Sequence, residues 1–346
     1  MIRILKLSQM TSQEVATLKK RAELDIEQAL GIAQTVIQRI QAAGDGGVVE
    51  YACKFDYPGT TVANLRVAPE EFAAAEKLIT PELKNALKQS FQNIYEVHRR
   101  QMPAAIGLEE INPGVFAGEK IAPIPKVGLY VPRGRGAFPS MMLMLAIPAQ
   151  VAGVPRVVVC TPPDQNGQVE PASLVAAQMA GVSEIYKLGG VQAIAAMALG
   201  TATIPKVDKL TGPCSVYGAA AKRLLYGTVD VGLPAGPSES IVLADEYTNP
   251  QIAALDLLIE AEHGSDSAAL LVTHSEKVAQ QVSQLAWDYL QQLPEERRKF
   301  CEQGLAAYGG IILTDSLEAS LDFINVSWAK FTMPGKYYSE VIPLLP

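Results

Sequence analysis

Two hydrophobic periodicities divide the chain. Over residues 8–105 apolar positions recur about every 3.6 residues, as in AELDIEQALGIAQTVIQRIQAAG and ITPELKNALKQSFQNIYEVHRRQM, and this region is read as mostly helical. Thr11 or Ser12 can cap its first helix, and Thr80 caps the later one with Pro81 in the first turn. From residue 127 short β-branched runs alternate with Ala-rich helices: VGLYVP with PSMMLMLAIPAQVAG, RVVVCTP with PASLVAAQMAG, EIYKLGG with VQAIAAMALG, DKLTGP with SVYGAAAKRLLYG. The alternation restarts after residue 238 with SIVLADE, PQIAALDLLIEAEHG, AALLVTH, a helix to about 305, and GGIILTD. Such alternation predicts two α/β units, each a parallel sheet with helices on its faces.

Length agrees with two units, since 346 residues would stretch a single core. Hydrophobic residues make up 49% and charged residues 19%, the profile of a well-packed soluble chain. The net charge of −7, with both signs interspersed, leaves no basic stripe to neutralise phosphates, and nucleic acid is not expected as a partner. The most apolar stretch, SMMLMLAIPAQVAGVPRVVVC, is broken by Pro148, Gln150, Pro155 and Arg156, whereas a bilayer span needs about 20 uninterrupted apolar residues. It reads as a buried helix leading into a strand, and no membrane partner is expected. The start, MIRILKLSQMTSQ, lacks the apolar run of a signal peptide. Cys53, Cys160, Cys214 and Cys301 form no CxxC pair and read as reduced thiols of a cytoplasmic protein.

Open parallel sheets bind ligands beyond the carboxyl ends of their strands, and several loops are expected there. YVPRGRGAFPS offers glycines for close backbone approach, with Arg133 and Arg135 for an anionic group; a solvated turn is an equal reading. KLGGVQAIAAM joins a strand to a helix whose amino-terminal amides attract negative charge, with Gln192 in the first turn. It is not a GxGxxG fingerprint. TGPCSVYGAAAKR repeats the device, with Ser215 by default an N-cap. In LPAGPSES, Ser238 can offer a hydroxyl, but no histidine stands near it in sequence to make it a nucleophile.

LLIEAEHGSD carries the remaining candidate chemistry. Glu260 and His263, three apart, share one helix face, and both are competent ligands for a zinc-like ion. Two donors from one turn do not complete a catalytic site. A protonated histidine at a helix carboxyl end followed by Gly264 is also an ordinary terminus. Only three histidines exist, His98, His263 and His274. His98 reads as a solvated helix position beside Arg99 and Arg100.

In this order and spacing, GLYVPRG, KLGGVQAIAAMALGT, IPKVDKLTGP, AKR, LPAGPSE and LLIEAEHGSDS resemble histidinol dehydrogenase, over roughly residues 20 to 325. The resemblance implies a homodimeric, zinc-containing, NAD-dependent enzyme that oxidises L-histidinol through the aldehyde to L-histidine with two NAD, in histidine biosynthesis. It also implies two Rossmann-like units, the second inserted in the first: residues 127–237 within a domain of 1–126 and 238–346 that includes the amino-terminal helices. By the same resemblance Tyr130 and Gln192 contact NAD, and Ser215 stands where the family has an asparagine with the same role. Ser238 matches a substrate-contacting serine, and His263 a zinc and substrate ligand. Glu260 replaces a zinc-binding glutamine and would lower the metal's Lewis acidity.

The resemblance thins downstream. No Glu-His pair follows DSLEASLDFIN, so no catalytic acid–base residue is assigned. Ile342-Pro343-Leu344 stands where the family carries a zinc-binding aspartate, and the arm with the last zinc histidine is not reached. A truncated or diverged member is therefore expected, with an incomplete metal site at Glu260 and His263 and impaired turnover. Two alternatives stand beside it. One is a non-catalytic paralogue that binds NAD or a partner. The other is a dehydrogenase of another small alcohol, with Glu260 as base and the Arg133/Arg135 loop suited to an anionic substrate.

Overall fold

The computed structural model describes residues 1–19, 26–133, 138–232, 239–263, 267–325 and 330–332. Two compact units emerge: Asp25–Ala235, and a second made of Met1–Leu24 with Gly236–Pro346. Both are Rossmann-like α/β units.

In the unit Asp25–Ala235, four parallel strands lie in the spatial order Ile185–Lys187, Arg156–Thr161, Lys126–Tyr130, Lys209–Thr211. Counted along the chain this is 3-2-1-4, so the direction of winding reverses at strand Lys126–Tyr130. Alternate residues of each strand point to opposite faces and feed two separate cores. Tyr130, Val158, Cys160 and Tyr186 pack on one face, while Val127, Leu129, Val159 and Ile185 pack on the other. Helix Gly190–Leu199 is apolar on every side beyond Gln192 and is buried accordingly: Ala193 to Ala198 have no exposed surface.

The helices of the amino-terminal region form outer layers on these two faces. Glu27–Ala43 and Asp45–Phe55 join the core that holds helices Gly190–Leu199 and Val216–Leu225. Pro69–Leu78 and Pro81–Gln101 cover helices Pro139–Val151 and Pro171–Met179. These helices belong to the unit Asp25–Ala235. The physical reason is that Ala29, Ala33, Val36, Ile37 and Ile40 form the buried stripe of an amphipathic helix whose apolar partners are Gly190–Leu199 and Val216–Leu225. The helix cannot be separated from them without exposing both surfaces.

The unit Met1–Leu24 with Gly236–Pro346 repeats the same order. Its five-stranded parallel sheet runs Ile4–Lys6, Gly310–Leu313, Ala268–Thr273, Glu239–Ala244, Lys330–Thr332. From Glu239 onward this is again 3-2-1-4, with the amino-terminal strand added at one edge. Helices Pro250–Ala261, Glu276–Leu290 and Glu295–Ala307 cover one face, and Leu317–Asn325 covers the other.

Capping is as the sequence dictates where it was read. The Thr80 hydroxyl accepts from Leu83 N–H at 3.2 Å, and Thr11 and Glu14 form a reciprocal capping pair. The region 8–105 is helical as far as described, but a hairpin, Ile106–Asn112 with Val115–Lys120, follows it where no strand was expected. Every residue of it is exposed, so no one-sided burial marks its sequence.

Removing buried volume at the centre of the first unit should be costly. Ile194→Ala is expected to lower its unfolding free energy by about 2–5 kcal/mol, whereas Ile32→Ala, at a 49% exposed position, should change it by less than about 0.5 kcal/mol. Urea denaturation followed by circular dichroism makes the comparison.

Candidate functional site

At the point where winding reverses, strand Lys126–Tyr130 ends on Tyr130, and Leu129 is paired with Thr211 of the neighbouring strand. The chain then turns at Gly212, with φ of 120°. A Cβ at this position would meet the Tyr130 carbonyl oxygen at 2.0 Å, so only glycine lets the two strand ends approach so closely. Lys222, buried in helix Val216–Leu225, donates to the Gly212 carbonyl at 2.5 Å and pins the turn from beneath. Burial lowers the Lys222 pKa and raises that of the nearby Cys214 thiol, while each group moderates the other's shift.

Tyr130 and Gln192 are brought together at this edge. The Gly190 N–H donates to the Tyr130 phenol oxygen at 3.1 Å, and burial pushes the phenol pKa up. Gln192 is 2% exposed, and its Nε2 donates to Asp56 Oδ2 at 2.9 Å. The same carboxylate oxygen accepts the Gly189 N–H at 3.0 Å. Two amides at the start of helix Gly190–Leu199 are thus already bound to oxygens of the chain itself. At this helix start the acceptors met by the amides are the Asp56 carboxyl oxygen and the Tyr130 phenol oxygen.

Ser215 occupies the N-cap position of helix Val216–Leu225, as read, but its hydroxyl makes no capping bond. The side chain is exposed at the turn that follows strand Lys209–Thr211. Arg133 is half-buried, with Nη1 3.4 Å from the Pro163 carbonyl. Arg135 and Ser238 lie outside the described residues.

In the other unit, Glu260 and His263 are joined directly: His263 Nδ1 lies 3.0 Å from Glu260 Oε1. The Glu260 side chain is 4% exposed and that of His263 31%, so the carboxylate is held inside while the imidazole reaches out. Helix Pro250–Ala261 crosses back from strand Glu239–Ala244 to the start of strand Ala268–Thr273. Its last turn therefore lies toward the amino ends of that sheet. By donor type the pair suits a zinc-like ion, with imidazole as ligand and carboxylate as ligand or as the acceptor that orients the ring. Among the described residues no group of three or more His, Cys, Asp or Glu could hold a metal. His274 is engaged elsewhere, with Nε2 3.0 Å from Glu246, and His98 sits in the last turn of helix Pro81–Gln101.

Sequence reasoning missed Asp56 and left Lys222 without a role. A signal for Asp56 exists in KFDYPG, where an acidic residue stands at a helix carboxyl terminus, the end at which negative charge is disfavoured. For Lys222 the signal is a lysine set among alanines in an otherwise apolar helix face.

Comparison with known proteins gives concordant matches. The family model described as histidinol dehydrogenase matches residues 19–330. A histidinol dehydrogenase from Synechocystis sp. is 66% identical over 325 residues, covering 94% of this chain and 75% of the relative. One from Methanothermobacter thermautotrophicus is 44% identical over 322 residues, covering 93% and 74%. The crystal structure of histidinol dehydrogenase from Elizabethkingia anophelis superposes with a TM-score of 0.88 at 34% identity, over 100% of this chain and 78% of that one. Among the described residues no helix is long and apolar enough to cross a membrane.

The Asp56 carboxyl supplies a pH test of this geometry. Burial raises its pKa from 3.8, and the bonds from Gly189 and Gln192 only partly oppose the rise. The folded state therefore loses stability relative to the unfolded chain as pH rises from 3.8 through the folded pKa, the cost is complete above that pKa, and it is absent below 3.8, where both states are protonated. Asp56→Asn should accordingly gain stability relative to the parent as pH rises from about 4 to about 7. Urea denaturation of both proteins across that range measures the difference, and a gain that shrinks with rising pH is contrary to the assignment.

Proposed function

The chain belongs to the histidinol dehydrogenase family, and from that premise we propose that it binds NAD at the edge formed by Tyr130, Gln192 and Ser215 and acts on histidinol or a close analogue. The observation that carries the reading is the convergence of Tyr130 and Gln192 on the Gly189–Gly190 turn, where the sheet reverses its winding. That is the place at which open α/β sheets receive nucleotides. Ser215 offers an exposed hydroxyl at the neighbouring strand end. Ser238 is assigned to the substrate by its sequence context alone.

Glu260 and His263 would hold zinc, which when bound polarises the alcohol oxygen of the substrate. These two side chains provide at most two of the three protein ligands that a catalytic zinc usually takes. Proton transfer at neutral pH usually falls to histidine. Of the three present in these 346 residues, His98 and His274 stand on a helix end and beside Glu246. We therefore assign no catalytic acid–base residue within this chain, and turnover by these 346 residues is expected to be impaired. The cytoplasm and a homodimeric state belong to the same proposal.

A non-catalytic NAD-binding role is the second reading. It is favoured by the contrast between a connected hydrogen-bond set around Tyr130 and Gln192 and a metal pair with only two donors. Oxidation of another alcohol, with Glu260 as base, is weakened by the engagement of that carboxylate with His263.

Three measurements test the proposal. Isothermal titration with NAD should give saturable heat, and its absence would remove the nucleotide assignment. Purified 346-residue chain supplied with histidinol, NAD and zinc should produce NADH at or near background. Robust NADH formation would refute the impairment. Elemental analysis after purification without added zinc should find less than one ion per chain, and one tightly held ion would contradict an incomplete site.

A further inference from the structure

Asp56 stands where its own helix gains nothing from it. It is the C-cap of Asp45–Phe55, the end at which exposed carbonyls favour cations over carboxylates. Its partners lie far along the chain instead, at sequence separations of 133 and 136 residues. A residue that violates its local rule and pays in burial is expected to serve something beyond its own element.

Asp56 Oδ2 already serves as acceptor for the Gly189 N–H, so its contact with Gln192 settles which end of that carboxamide faces inward. Nε2 points to Asp56, and the oxygen is left on the other side, 3.0 Å from the place a Cβ of Gly190 would take. With 2% exposure Gln192 cannot search for a ligand by changing rotamer in solvent; its orientation has to be set by the protein. Asp56 is the group that sets it. Through Gly189 the same oxygen fixes the turn whose next amide, Gly190, is bonded to Tyr130.

We infer that Asp56 is a positioning residue of the nucleotide site: it holds the Gln192 carboxamide and the Gly189–Gly190 turn in the arrangement the cofactor meets, with the Gln192 oxygen presented to a hydrogen-bond donor of the cofactor. The ligand group recognised there is a hydroxyl or an amide N–H, not a phosphate. The inference rests on the reading of Tyr130 and Gln192 as NAD contacts.

Calorimetric NAD titration of the full chain, with the variants Asp56→Ala, Gln192→Ala, the double variant and Asp56→Asn, tests it. Loss of a charged acceptor should weaken NAD binding by Asp56→Ala about tenfold or more. Because Asp56 acts through Gln192, the double variant should bind within about threefold of Gln192→Ala alone. Asp56→Asn, which keeps an acceptor oxygen, should recover to within about threefold of the parent, a rescue that a purely electrostatic role would not give. Should Asp56→Ala fail to fold, Asp56→Ser takes its place, since its hydroxyl is too short to reach both partners. Unchanged affinity in a folded Ala or Ser variant overturns the inference alone, as do fully additive losses. Absence of NAD binding by the unaltered chain overturns the site reading, and the inference with it.

Discussion

A single carboxylate oxygen ties together the edge on which the functional reading depends. Asp56 Oδ2 takes one amide from the Gly189–Gly190 turn and one from the Gln192 side chain, and Tyr130 takes the next amide of the same turn. In a nucleotide-binding α/β unit the start of the helix after a strand is the usual place for a ligand's phosphate. Here the chain fills that place with its own oxygens. The polar groups of this edge are therefore fixed before any ligand arrives, and the proposed recognition by Tyr130, Gln192 and Ser215 relies on hydrogen bonds more than on a phosphate cradle. Such preorganisation lowers the ordering cost of binding.

The two units are built on one plan and carry different chemistry at different edges. Both sheets run 3-2-1-4 from their first long strand. In Asp25–Ala235 the polar residues gather at the carboxyl ends, around the reversal of winding. In the other unit the Glu260–His263 pair lies at the far end of a crossover helix, toward the amino ends of its sheet. A buried carboxylate hydrogen-bonded to a half-exposed imidazole is a sound beginning for a metal site, because the acceptor fixes the ring. Two donors still leave most of the coordination to be found elsewhere.

Much of this was legible in sequence. Strands such as RVVVCTP and AALLVTH announced themselves because both of their faces are buried, and the Ala-rich segments between them left no other architecture. Thr80 and Pro81 marked a helix start by mechanism. The placement of residues 25–101 was not legible, since an amphipathic stripe shows that a helix is buried but not against what. Hairpin Ile106–Lys120 was invisible for the opposite reason: with both faces exposed it has no alternation to read. Tyr130 and Gln192 were singled out through the motifs around them, whereas Asp56 was not, because its partners are more than a hundred residues away.

Native-state hydrogen exchange of the Gly189 and Gly190 amides, followed by nuclear magnetic resonance in the absence of NAD, tests the closed turn most directly. Both amides should exchange far more slowly than those of exposed loops, because Asp56 and Tyr130 already hold them. Exchange at the rate of an open loop, with protection gained only when NAD is added, would contradict a site that the chain preorganises with its own oxygens.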